Sequence, residues 1–81
     1  MGDKKLHIVA FGVVLQELRA KFGLTQDQLA ELVGTERSHI SALERAEKGP
    51  ALVTIFRFAR AFEMPASKLI ELIEGKLTML K

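Results

Sequence analysis

Between Thr25 and Arg45 the chain reads TQDQLAELVGTERSHISALER, and this stretch leaves little freedom in what can be built around it. Thr25 stands where it can cap a backbone amide, Gln28 three residues on completes a capping box, and Leu24 with Leu29 can form a hydrophobic staple. A helix therefore starts here, with Leu29, Ala30 and Leu32 or Val33 as its apolar face. Gly34 stops it, because the residue just past a helix end commonly takes the left-handed backbone that glycine adopts without a Cβ penalty. A second helix follows at once. Ile40 and Leu43 give it a narrow inward stripe, while at about 100° per residue Ser38, Ala42 and Arg45 fall roughly opposite, with Arg37 and His39 on the flanks of that outer face. Such a helix is supported from behind and open in front.

Two helices crossing steeply through a short glycine-containing turn, the second presenting small and hydrogen-bonding side chains outward, form the helix-turn-helix pattern of DNA-binding proteins. Through Thr25-Gln26, Leu29-Ala30, Gly34, Ile40-Ser41 and Leu43-Glu44-Arg45 the chain resembles the lambda-repressor/Cro-like family, also called the xenobiotic-response-element family. The likeness runs from about Phe11 to Leu72. Within the family, Arg37-Ser38-His39-Ile40-Ser41 is most similar to small single-domain regulators such as restriction-modification controller proteins. The resemblance implies an all-α, compact five-helix DNA-binding domain. Three positions depart from the family pattern: Ala46 stands where glycine is usual, Thr35 where an apolar residue is usual, and Glu36 where Ser, Thr or Asp caps better. Ala46 would let the second helix run on toward Gly49, and Thr35 is available as its cap.

The flanking chain supplies the frame. Phe11, Val14, Leu15, Leu18 and Phe22 fall on one stripe of a first helix that Gly23 closes. Residues 1–10 form either an N-terminal arm or an extension of that helix, since the β-branched pair Ile8-Val9 pulls against helix formation. Pro50 precludes a continuous helix through the loop 46–50 and introduces a fourth helix, about Ala51 to Phe62, with Leu52, Ile55, Phe58, Ala59 and Phe62 facing inward. Met64-Pro65 introduces a fifth, with Leu69, Ile70 and Ile73 inward, ending near Gly75. The domain is thus expected over 11–75, followed by a tail, 76–81. Val53 and Phe56 lie off the core stripe of the fourth helix. They either pack under a neighbouring helix or meet a second subunit, and the apolar tail residues Leu77, Met79 and Leu80 favour a homodimer.

Base readout points first to Arg37, whose planar fork matches guanine O6 and N7. Ser38 can donate to or accept from several base edges, and Ala42 is small enough to approach a thymine methyl. Gln26, in the first turn of its helix, is a backbone-positioning residue; in the family its match touches phosphate or braces the start of the recognition helix. Arg45 and Lys48 are phosphate neutralisers, Ser41 can join them or pack, and His39 is a solvated flank residue or a phosphate contact. Arg19 stands where the resemblance implies an arginine paired with the glutamate matching Glu44, a structural ion pair.

At 81 residues one domain is expected, without a second that senses a metabolite. There is no cysteine, and His7 and His39 are the two histidines, so thiolate metal sites and disulfides are excluded and no cofactor or metal is expected. No nucleophile motif or Gly-rich phosphate loop occurs, which argues against an enzyme. The absence of a long apolar run or a signal pattern leads to the expectation of a cytoplasmic chain with no membrane association. A net charge of +2 is mild, so distribution matters more than total. These readings converge on a dimeric, sequence-specific regulator of transcription that binds double-stranded DNA at a pseudo-palindromic operator and controls its own promoter. The alternative is the same fold used as a DNA-binding antitoxin or a bridging module, with a toxin or RNA polymerase as partner.

Overall fold

In the computed structural model, which describes residues 4–81, Lys4 to Lys21 form one continuous helix, α1. The segment before Phe11 is therefore a helix extension as far as Lys4, and an arm reading survives only for residues outside those described. Burial accounts for it: Ala10 and Phe11 are sealed in the core and Ile8 and Val9 are half-buried, which outweighs the few tenths of a kcal/mol by which β-branching disfavours a helix. Four further helices follow: α2 (Gln26–Val33), α3 (Arg37–Glu44), α4 (Leu52–Ala61) and α5 (Ala66–Leu80). The all-α, five-helix expectation holds.

One core gathers them. Phe11, Val14, Leu15 and Leu18 of α1 meet Leu29, Ala30 and Val33 of α2, Ile40 and Leu43 of α3, Phe58 and Ala59 of α4 with Phe62 just beyond it, and Leu69 of α5. Aromatic rings thread its centre: the centroids of Phe11 and Phe58 lie 5.7 Å apart, and those of Phe58 and Phe62 lie 6.4 Å apart. Phe22, expected on the inward stripe, sits past the end of α1 and is partly exposed, yet its ring still rests 5.3 Å from that of Phe62. Leu52 is a clear correction. It is 73% exposed, because it opens α4 and its turn overhangs the core that Ile55 and Phe58 reach. Of the two candidates on α2, Val33 is buried and Leu32 is exposed.

The fifth helix is longer than its sequence suggested. It does not end near Gly75 but continues to Leu80, so the expected tail 76–81 is helical up to its last residue. Glycine inside a helix costs about 1 kcal/mol relative to alanine. Packing against α1 offsets it: Leu72, Ile73 and Leu77 are partly buried and Lys76 Nζ reaches Glu17 Oε2 at 2.9 Å.

Two turns fix the motif. The α2–α3 turn ends α2 with Gly34 at φ 82°, and the amides of Gly34 and Thr35 both return to the Ala30 carbonyl. The same hydrogen-bonding logic closes α3, where the Glu47 amide reaches back to the Ala42 carbonyl at 2.9 Å and Ala46 takes the left-handed conformation at φ 59°. Helix α3 therefore stops at Glu44 rather than running on toward Gly49. Alanine occupies the glycine geometry, at a cost of about 1–2 kcal/mol.

Candidate nucleic-acid interface

The start of α2 is built as its sequence dictates. Thr25 Oγ1 accepts from the Gln28 amide at 3.0 Å, and Gln28 Oε1 accepts from the Thr25 amide at 2.8 Å, a complete capping box. This sets Gln26 and Asp27 in the first turn, where amides precede the first intrahelical acceptor and face outward.

The back of α3 is fixed by four residues that converge on its last turn. Glu44 is only 8% exposed. Its Oε2 accepts from Arg19 Nε at 2.7 Å, and its Oε1 accepts from Arg19 Nη2 at 3.2 Å and from Gln26 Nε2 at 2.9 Å. Arg19 Nη1 donates to the Leu24 carbonyl at 3.0 Å, so the guanidinium ties α3 to the α1–α2 linker as well. The Glu44 backbone carbonyl accepts from Gln16 Nε2 at 2.9 Å. Beneath these bonds lies Gly12, where an added Cβ would come within 2.7 Å of the Leu43 carbonyl oxygen and 2.9 Å of that of Glu44. Only a residue without a side chain lets α1 approach the α3 backbone this closely. Among the described residues no buried side-chain nitrogen or oxygen lacks a partner, so the buried carboxylate is fully compensated.

Gln16 and Gly12 were missed by sequence reasoning. A glycine inside an otherwise regular helical pattern is a signal of close packing, and Gly12, Gln16 and Arg19 share one face of α1 at helical spacing. The resemblance points to the Arg19–Glu44 pair, and the structure sets Arg19 Nε 2.7 Å from Glu44 Oε2; the added bonds from Gln26 and Gln16 have no signal in the sequence, because they depend on how the helices cross.

The front of α3 is open. Arg37 and Ser38 are exposed, Ser41 and Ala42 half-exposed, and Arg45 exposed. Arg37 lines a shallow depression of about 380 Å³ together with Thr25, Gln26 and Asp27, so the candidate base reader and the candidate positioning residue adjoin. Arg37 and Lys48 have no ion-pair partner among the described residues, whereas Arg45 Nε lies 3.0 Å from Glu47 Oε2 in an exposed pair. Exposed pairs are worth about 0–1 kcal/mol, so Arg45 can exchange its partner readily. The N-cap of α3 is Glu36, which makes no side-chain capping bond. Thr35, the alternative cap, does not serve either: its hydroxyl lies 2.8 Å from His39 Nδ1.

The family model of the helix-turn-helix HTH_3 domain matches residues 15–69, the span that carries this capped, clamped helix pair. The chain belongs to that family. Relatives include YgzD of Bacillus subtilis, an uncharacterized HTH-type transcriptional regulator, 38% identical over 50 residues that cover 62% of this chain and 76% of the relative. Among solved structures, the restriction-modification controller protein C.AhdI from Aeromonas hydrophila is 39% identical, with a TM-score of 0.72 over 76% of this chain and 94% of that one. A second controller protein, C.Esp1396I, solved as a tetramer in complex with its natural 35 base-pair operator, superposes with a TM-score of 0.80 over 89% of this chain and 95% of its own. At 19% identity that likeness speaks for the fold alone. HTH_3 membership places the chain in a DNA-binding class that is not enzymatic. No helix of the described residues is long and apolar enough to cross a membrane.

Proposed function

We propose that this HTH_3 protein is a sequence-specific regulator of transcription that binds double-stranded DNA as a homodimer at a pseudo-palindromic operator, including that of its own promoter. One observation carries the reading: α3 is locked at its back through Glu44 while Arg37, Ser38 and Ala42 remain free at its front. A base-reading helix needs that combination, because a side chain reads a base edge only from a fixed backbone. Arg45, Lys48, Ser41 and His39 would hold phosphates, and Gln26, its side-chain amide committed to Glu44, would do so through the exposed amides of the first turn of α2. Arg37→Ala is expected to relax preference at one base pair per half-site at a cost of roughly 1–3 kcal/mol, read by selecting bound sequences from random duplexes. Arg45→Ala and Lys48→Ala should weaken binding to all sequences alike and flatten its salt dependence. Equal loss of specificity from all three would overturn the assignment of roles.

Dimerisation is supported by the outer side of α4 and the neighbouring flank of α5. Val53 and Phe56 are exposed, Phe56 to 58%, and so are Leu52, Ile70 and Leu80, while Leu77 is half-buried. Ile70 also lines an apolar groove of about 260 Å³, together with Ile8, Phe11, Pro50, Ile55 and Ile73. A two-fold dimer would set the two recognition helices on successive major-groove faces, with half-site centres roughly 34–36 Å apart. Sedimentation should show a dimeric wild type at micromolar concentration and a monomeric Phe56→Glu, Leu80→Glu variant with weakened operator binding. Full-strength binding by a proven monomer would exclude the dimer. The same exposed apolar surface also suits the second reading, an antitoxin or bridging module that contacts a toxin or RNA polymerase. In that case binding to upstream DNA would tighten on adding the partner.

A further inference from the structure

Thr35 has an unusual set of partners for a residue in the turn of a helix-turn-helix. Its amide is committed to the Ala30 carbonyl at 2.9 Å, and the left-handed Gly34 before it fixes the backbone direction. Its hydroxyl is not spent on capping α3. It lies instead 2.8 Å from Nδ1 of His39, and both side chains are half-buried. His39 stands in the first turn of α3, and at about 100° per residue it lies about 160° around the axis from Arg37, so the two flank the reading face on opposite sides.

We propose that Thr35 is a positioning residue for DNA binding, holding the His39 ring so that its Nε2–H points outward and donates to a phosphate oxygen of the duplex. The proposal rests on the DNA-binding reading above and extends it to a named atom. The chemistry follows from the hydroxyl, which both donates and accepts. With the neutral ring protonated on Nε2, the Thr35 O–H donates to Nδ1. With the charged ring, Nδ1–H donates to Thr35 Oγ1. Both forms leave a proton on the outward nitrogen. The remaining form, neutral with its proton on Nδ1, would turn an Nε2 lone pair toward phosphate oxygens that carry lone pairs of their own, and it is excluded in the complex by that repulsion. The Thr35 bond thus fixes where the ring sits while leaving Nδ1 satisfied in either form, and the phosphate selects the forms that carry a proton on Nε2. A ring already held in place also loses less rotamer freedom on binding than one that must be ordered then.

The test uses the full chain and a duplex selected from random sequences. Thr35→Val, which keeps the shape and removes the hydroxyl, should weaken binding roughly three- to tenfold, the range expected for losing one hydrogen bond. Thr35→Ser should bind like wild type, and Thr35→Val should add nothing in a His39→Ala background. Ring ¹⁵N spectra of the wild-type complex should show a proton on Nε2. That spectrum needs no variant, and an unprotonated Nε2 overturns the proposal even if Thr35→Val does not fold, in which case Thr35→Ala takes its place in the affinity comparison. Wild-type affinity in a folded Thr35→Val, the same loss with and without the His39 ring, or an unprotonated Nε2 in the complex would each overturn the proposal. In those outcomes wild type still binds DNA. A wild type that binds no duplex would remove the DNA-binding reading itself, and this proposal with it.

Discussion

The two ends of α3 are built on opposite plans. At its C-terminal end a buried carboxylate, a backbone carbonyl and a glycine contact are engaged by Arg19, Gln26, Gln16 and Gly12, drawn from α1 and α2. At its N-terminal end the cap is a glutamate with no side-chain bond, and the next two residues, Arg37 and Ser38, are exposed. The difference teaches where rigidity is needed. Orientation is imposed from the rear, where water is excluded and hydrogen bonds to a charged group are strong. The front keeps unspent polar groups for a partner.

The largest effect that would break this contrast lies in the ion pair. Arg19→Met leaves the Glu44 carboxylate, whose side chain is 5% exposed, with little beyond the Gln26 amide, whereas Glu44→Leu strands a guanidinium that is 25% exposed and still bonded to the Leu24 carbonyl. Arg19→Met should therefore destabilise more, by about 3 kcal/mol, and the double variant should melt above either single one. Additive melting shifts in that cycle would show that the pair does not act as a unit.

A smaller effect is expected from Gly12→Ala. The new Cβ would meet two backbone carbonyl oxygens that no rotamer change can relieve, so α1 and α3 must separate. Overpacking of this kind costs roughly 1–3 kcal/mol, or several degrees in Tm for a domain of this size. If Gly12→Ala melts like wild type, α1 does not set the position of α3.

The smallest change sharpens the contrast from the other end. Glu36→Ser supplies the missing cap and should stabilise by about 0.5–1 kcal/mol in denaturant titration. It also removes a negative charge beside the residues proposed to face phosphates, so DNA affinity should rise with stability. A gain in stability with weakened binding would mean that Glu36 contacts the partner.

The helix pair was legible in the sequence because its signals are local: Thr25 with Gln28 and Gly34 specify both helix boundaries within a few residues. Ile40 and Leu43 were legible as the inward stripe for the same reason. Leu52 and Gly75 misled because periodicity reports which side a residue takes and not how far the core extends beneath it. Leu52 overhangs the core, and Gly75 is carried through by packing against α1. Ala46 misled in the other direction, since its preference for helix is overruled by the loop that must return to Pro50. At the interface, Arg37, Ser38 and Ala42 could be placed by angle alone. The Thr35 bond to His39 and the roles of Gly12 and Gln16 depend on side-chain placement and helix crossing, which no linear pattern encodes.

Gly12 bears on how such a protein can be re-engineered. Where two helices touch through side chains, each change of core volume shifts their spacing. Here α1 meets α3 backbone to backbone, a datum that side-chain exchange elsewhere in the core does not move. On the proposed DNA-binding role, the outward residues of α3 would form an exchangeable set: substitutions at positions 37, 38 and 42 would alter the message read, while the frame that presents them stays in register.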